Sequence, residues 1–337
     1  MSEPARTYNQ AHAPRPYTPG RRRASVYISW SYPAEANRNP AELDNRFSTM
    51  TEVRRVLWPA YETPRFSDPL QFQQGIAGSL ELFFWAWVPF QKLVGQVTGH
   101  PAPVFQRVDQ AGFALPLDER ILDDADTLFL FGLDHNVTGQ RPSQAEIEAL
   151  RAWLRRDGTC LVIGPHHDVG AADDLDQRAM EYAHHGDPLV PRQQRFGQYA
   201  LALMEGLGIP ITSRWAFRPA VRPGTTNRIA PLSALRDADV RGWLQGVESL
   251  NFHMHLPHYA LTRDDGPARV LARQAIDLAR PHPFTAGGET EFNTLVWAPP
   301  AGERAGDVLV VDSTVFSTLF GADESLERFW KNIVLAK

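Results

Sequence analysis

Two stretches decide the fold: residues 126–132, Asp-Thr-Leu-Phe-Leu-Phe-Gly, and residues 143–164, Ser-Gln-Ala-Glu-Ile-Glu-Ala-Leu-Arg-Ala-Trp-Leu-Arg-Arg-Asp-Gly-Thr-Cys-Leu-Val-Ile-Gly. The first is a nearly continuous apolar run, as expected of a strand covered on both faces. The second opens with Ser143 and Glu146 at capping-box spacing and carries Ile147, Leu150 and Leu154 on one stripe, which predicts a helix over 143–156. Asp157-Gly158 ends that helix, and residues 159–163 return to strand. Strand, helix and strand in this order make a βαβ unit with a right-handed crossover and parallel strands. The expectation is an α/β protein with a mostly parallel sheet and helices on both faces.

Working outward, residues 25–30 predict a first strand and residues 32–40 the loop that leaves it. Residues 41–61 follow Asn39-Pro40, a helix start, and place Leu43, Phe47, Met50, Val53 and Leu57 at helical spacing. A second helical block over 69–100 carries Leu80, Phe83, Phe84, Trp87 and Phe90, and Pro89 is expected to kink or divide it. The aromatics of segment 80–90 read as core or as an interface that would make a homo-oligomer. Residues 307–311 predict a last strand, Asp312-Ser313-Thr314 the turn at its tip with Ser313 as a helix N-cap, and 325–335 a closing helix. Residues 1–23 are polar, rich in proline and have little to bury, so they read as a poorly ordered arm. Residues 24–337 then form one elaborated domain with a less regular insertion at about 171–290. Within it, residues 171–191 read as a surface loop or a mobile lid, and His184-His185 as surface histidines.

Composition removes several classes. With 337 residues, 43% of them hydrophobic, the chain can bury a large core. A net charge of −5 gives no reason to expect nucleic acid, and the one basic run, Arg21-Arg22-Arg23, reads as a solvated flank. The single cysteine, Cys160, excludes an internal disulfide and a thiolate-rich metal site, which fits a cytoplasmic location. The polar start is not a signal peptide, and residues 80–88 are too short to span a bilayer, so no membrane association is expected. Gly-x-Gly-x-x-Gly and Gly-x-x-x-x-Gly-Lys are both absent, so no nucleotide cofactor is expected.

The order of residues 125–165, with the matching pattern at 306–335, resembles the class I glutamine amidotransferase-like superfamily, in the branches that lack amidotransferase activity. The resemblance implies a flavodoxin-like sheet whose strand tips carry the site. The chain departs from the active members at the strand-to-helix elbow. A catalytic cysteine belongs there, and Gly164-Pro165-His166-His167-Asp168 stands in its place. Cys160 lies within the strand and reads as a small core residue.

The candidate chemistry sits in two histidine-rich segments, 166–168 and 252–258. His253 and His255 alternate with Phe252, Met254 and Leu256, so a strand would present both imidazoles on one face roughly 7 Å apart. They, with His258, are the candidate metal ligands, and His166, His167 and Asp168 the candidate catalytic residues. Such a set would suit zinc, iron or manganese. Histidines on a strand can equally well bond backbone carbonyls at a sheet edge. Asp134, His135 and Asn136 follow a strand toward the same edge and are candidate substrate-binding residues. Two functions follow. One is a hydrolase of a small polar substrate, of amide or ester class, metal-dependent or assisted by His and Asp. The other is a non-catalytic amidotransferase-like module that binds a ligand or a partner.

Overall fold

The computed structural model describes residues 18–31, 86–108, 114–185, 194–226, 228–251, 253, 256–263, 265–318, 321 and 323–336. The expected helix at 41–61 lies outside them, as do Leu80, Phe83, Phe84 and His255. The strands are β1 (Ala24–Ser29), β2 (Val104–Gln106), β3 (Thr127–Gly132), β4 (Cys160–Pro165), β5 (Asp168–Val169), β6 (Gln194–Arg195), β7 (Ile211–Phe217), β8 (Ser233–Ala234), β9 (Leu256–Leu261), β10 (Arg269–Ala275), β11 (Glu291–Ala298) and β12 (Asp307–Val311). The α-helices are α1 (86–98), α2 (Glu119–Leu122), α3 (Gln144–Leu154), α4 (Leu175–His185), α5 (Gln198–Gly206) and α6 (Glu324–Leu335).

Eight of the described strands form one sheet in the order β2-β1-β3-β4-β12-β11-β10-β8. The first five are parallel, and β11, β10 and β8 continue the sheet antiparallel. The parallel part has the 2-1-3-4-5 order of a flavodoxin-like sheet, with β12 as its fifth strand. Every residue of β3 and β4 is buried, and successive residues enter opposite cores. Phe129, Phe131 and Val162 face α1 and α6, whereas Leu128, Leu130, Leu161 and Ile163 face α2, α3 and α5. Each large apolar side chain buried this way contributes roughly 1.5–3 kcal/mol, so the double layer is the main stabilising term.

The βαβ unit has the expected form. Ser143 Oγ accepts from the Glu146 N–H and Glu146 Oε2 accepts from the Ser143 N–H, a complete capping box. The sequence shows only half of what Glu146 does. Its Oε1 also accepts from Arg107, the Leu117 N–H and the Tyr199 hydroxyl at 2.6, 3.1 and 2.8 Å. Burial works against the Glu146 charge, but Arg107 and these donors outweigh it and hold the carboxyl below its ordinary range.

Several expectations change. Helix α1 runs unbroken from 86 to 98 through Pro89. Trp87 and Phe90 belong to the core rather than to an interface between copies: Phe90 packs on Phe129, Phe316 and Trp330 with ring centroids 5.0–5.6 Å apart. Arg22 and Arg23 are not a solvated flank, because Arg22 bonds Thr127 and the carbonyls of Asp126 and Gly158, and Arg23 pairs with Asp126. Residues 175–185 are helix α4, not loop, and Glu181 on it accepts from the N–H groups of Gly170, Ala171 and Ala172. No described helix is long and apolar enough to cross a membrane.

A histidine cluster at the ends of the parallel strands

Because β1, β3, β4 and β12 are parallel and nearly in register, their carboxyl ends reach one edge, where open α/β sheets gather their ligands. Each is followed there by polar residues: Ser29 and Ser31, Asp134 and His135, His166 to Asp168, and Asp312 to Thr314. Glycines permit close approach. A Cβ on Gly164 would lie 2.6 Å from the Ser313 nitrogen and the Val311 carbonyl, and one on Gly197, at φ +77°, 2.6 Å from Pro165 Cα. Gly197 thereby brings the neighbouring Phe196 onto the strand tips.

His166 Nδ1 is 2.9 Å from Asp312 Oδ1, with both side chains buried. The other Asp312 oxygen accepts from the Thr314 hydroxyl. Burial alone would raise the Asp312 pKa, but His166, His253 and Thr314 outweigh it and hold the carboxyl below its ordinary range. An ionised carboxylate only accepts, so Nδ1 is the donor nitrogen in the bond from His166 to Asp312.

Around this pair the rings close up. The His166 centroid is 4.1 Å from that of His167 and 5.4 Å from that of His253, and His167 is 4.9 Å from His185. Phe196 packs at 5.1 Å against both His167 and His135. Burial, then the neighbouring histidines 166, 185, 253 and 135, push the His167 pKa well below its usual value. Burial, then His253 and His166, bring His185 down to about 3. All five imidazoles are at most 2% exposed.

Other candidates are placed differently. Asp134 splices strand to helix: its carboxylate accepts from the Ser29 hydroxyl at 2.6 Å and the Tyr199 N–H at 3.0 Å, and burial raises its pKa. Asn136 is exposed and opens a 3-10 turn. Asp168, in β5, has its carboxylate 3.6 Å from Arg195 Nε. His258 sits in β9, where its Nδ1 accepts from the Asn293 N–H and its ring packs near Trp215, Phe217 and Phe284. Ser313 is not a cap: its hydroxyl bonds the Gly164 carbonyl, and Asp312 holds the N-cap position of the turn. Cys160 begins β4, at the end of the strand away from His166, and burial pushes its thiol up to about 12.

Sequence reading missed His185 and Asp312. His185 is a buried member of the cluster rather than a surface residue, and a helical reading of 175–185 would have placed it on one face with Tyr182. Asp312 was in view as part of a strand-tip turn, but nothing local ties it to a histidine 146 positions away. Among the described residues, no three His, Cys, Asp or Glu side chains already surround a single ion position. No protein-family model matches this chain, and no curated protein matches its sequence.

Proposed function

We propose that the histidine cluster holds a divalent transition metal, zinc, iron or manganese, and that the protein is a hydrolase of a small polar substrate of amide or ester class. The observation that carries this reading is the convergence of His166, His167, His185 and His253, from three separate segments, with Asp312 behind His166. Two imidazoles on one tetrahedral ion hold their centroids roughly 5 Å apart, given metal–nitrogen bonds of about 2.0–2.1 Å, close to the His166–His253 and His167–His185 spacings of 5.4 and 4.9 Å, while His166 and His167 are closer, at 4.1 Å. When bound, such an ion supplies Lewis acidity and a water nucleophilic near neutral pH. The chain's own residues prepare for it. Asp312 fixes the tautomer of His166, as a carboxylate behind a ligating histidine does. Burial keeps His167 and His185 neutral, which is the ligating form. Phe196 shields the rings from bulk water. Asp168, next to His167 and near Arg195, is the carboxylate we assign to proton transfer.

One observation favours a second reading. Structural metal sites are closed and catalytic ones keep an open position, and every ring here is nearly excluded from solvent. In that reading the ion clamps α4 to the strand tips of a non-catalytic binding module. Metal analysis of the purified protein, with ester and amide turnover measured before and after chelation, separates the two. Near-stoichiometric metal with chelator-sensitive turnover supports the hydrolase, and metal without turnover supports the clamp. No uptake of zinc, iron or manganese at neutral pH overturns both.

A further inference from the structure

A cleft of about 580 Å³ opens beside α5 and β7, with Arg141, Arg195, Gln198, Glu205, Thr212 and Arg263 in its lining. That volume lies within the range of small-molecule sites. Glu205 is the only carboxylate among the described residues lining it, against three guanidinium groups, in a chain whose net charge is −5. The lining therefore carries an excess of positive groups in a chain of negative net charge, with Asp168 and Asp265 flanking two of them, and such an excess favours anions.

Two of these arginines pair with an acid only at long range. Arg195 Nε is 3.6 Å from Asp168 and Arg263 Nε 3.8 Å from Asp265, both beyond hydrogen-bond reach. Arg195 Nε is also buried without a hydrogen-bond acceptor among the described residues, a state that native proteins seldom leave unexplained. A neighbouring hollow of about 410 Å³ supplies the contrast. It shares Arg263 with the larger cleft, but its other arginines are committed: Arg151 bonds the Gly206 carbonyl, Arg155 pairs with Glu303, and Arg304 bonds the carbonyls of Ala298, Pro299 and Gly306.

We propose that the larger cleft binds the carboxylate or phosphate group of a small molecule, with Arg195 and Arg263 as its principal donors. Guanidinium forks match such oxyanions two bonds at a time, and Thr212 and Thr262 add hydroxyl groups to the same wall. The site needs no metal, and it adjoins the histidine cluster through Arg195, whose Nε lies 3.6 Å from Asp168.

Calorimetric titration of the full chain with orthophosphate and with malonate, at low ionic strength, tests it. The expected result is saturable binding of at least one anion, weakened at least tenfold in Arg195→Gln and in Arg263→Gln and unchanged in Arg155→Gln. The comparison of the two anions tells phosphate from carboxylate recognition. Should Arg195→Gln fail to fold, the double variant Arg141→Gln/Arg263→Gln takes its place, since the Arg263 side chain is 71% exposed and Arg141 is exposed. Absence of saturable binding, unchanged affinity in that double variant, or equal loss in Arg155→Gln would overturn the proposal.

Discussion

Two groups of histidines lie side by side in this molecule and are bonded in opposite ways. In the first, His166, His167, His185 and His253 turn their rings toward one another. In the second, His184, His258 and His282 each accept a backbone N–H: that of Arg218 at 2.9 Å, of Asn293 at 3.1 Å and of Phe284 at 3.1 Å. His184 also bonds the Arg280 carbonyl through Nδ1 at 2.8 Å, which fixes its tautomer, because a carbonyl only accepts and an amide only donates. These three are staples among Trp215, Phe217 and Phe284, joining α4, β7, β9, β11 and the turn after β10. Burial does not distinguish them: His184 and His282 are as buried as the first group, and His258 is half-buried. What a ring faces decides between staple and candidate ligand, and residues 184 and 185, adjacent on one helix, fall on opposite sides of that line.

The largest expected effect is on metal. Replacing His185 and His253 together with Ala should abolish stoichiometric binding, a loss of at least a hundredfold in affinity, with far less effect on the melting temperature, because two buried imidazoles give way to small apolar groups. Undiminished metal content in the folded double variant would erase the distinction between the two groups. Asp312→Asn should come next, weakening metal about 10- to 100-fold as outer-sphere partners do, and competition with a chromophoric chelator would measure it.

The staple group should answer to stability instead. His184→Ala leaves the Arg218 N–H and the Arg280 carbonyl without their partner and should cost about 1–3 kcal/mol in urea unfolding, with metal affinity unchanged. A variant as stable as the parent would show that His184 is no staple.

Acid should loosen the same group. Burial, assisted at His258 by Arg214 and Arg273 and at His282 by His184, lowers the folded-state values to about 4 and about 3, from an ordinary 6.5. Between 6.5 and those values the unfolded chain binds more protons than the folded one, so stability should fall as pH drops through that window. Above 6.5 these two groups should contribute no slope. Melting temperatures of the parent and of His282→Ala should draw together as pH falls from 7 to 4, because only the parent carries the His282 acid penalty, and a constant gap would reject the assignment. The smallest effect is reserved for Cys160→Ala, a core change at the other end of β4, expected to cost on the order of 1 kcal/mol and to leave metal binding and turnover alone.

Part of this was legible along the chain. Apolar runs at 126–132 and 159–163, the capping box at Ser143 and Glu146, and the strand at 307–311 are local signals, and each became the element it announced, within a residue or two. The tips of those strands were legible for the same reason, which is how His166 and His167 came to notice. The reading of residues 171–191 as loop failed over 175–185 because the charged face of α4 hides a buried stripe whose partners lie elsewhere in the chain.

Taken alone, the sequence determined the alternation of strand and helix, the burial of both sheet faces and the presence of imidazoles at a strand end, since all three follow from residue spacing within a few turns or pleats. Only the tertiary structure decided that β12 pairs with β4, which brings Asp312 to His166, and that α4 folds back to bring His185 to His167. Likewise it alone turned His258 toward Asn293. Such contacts join residues far apart in the chain, and no local periodicity encodes which ring a histidine will face once the sheet is assembled.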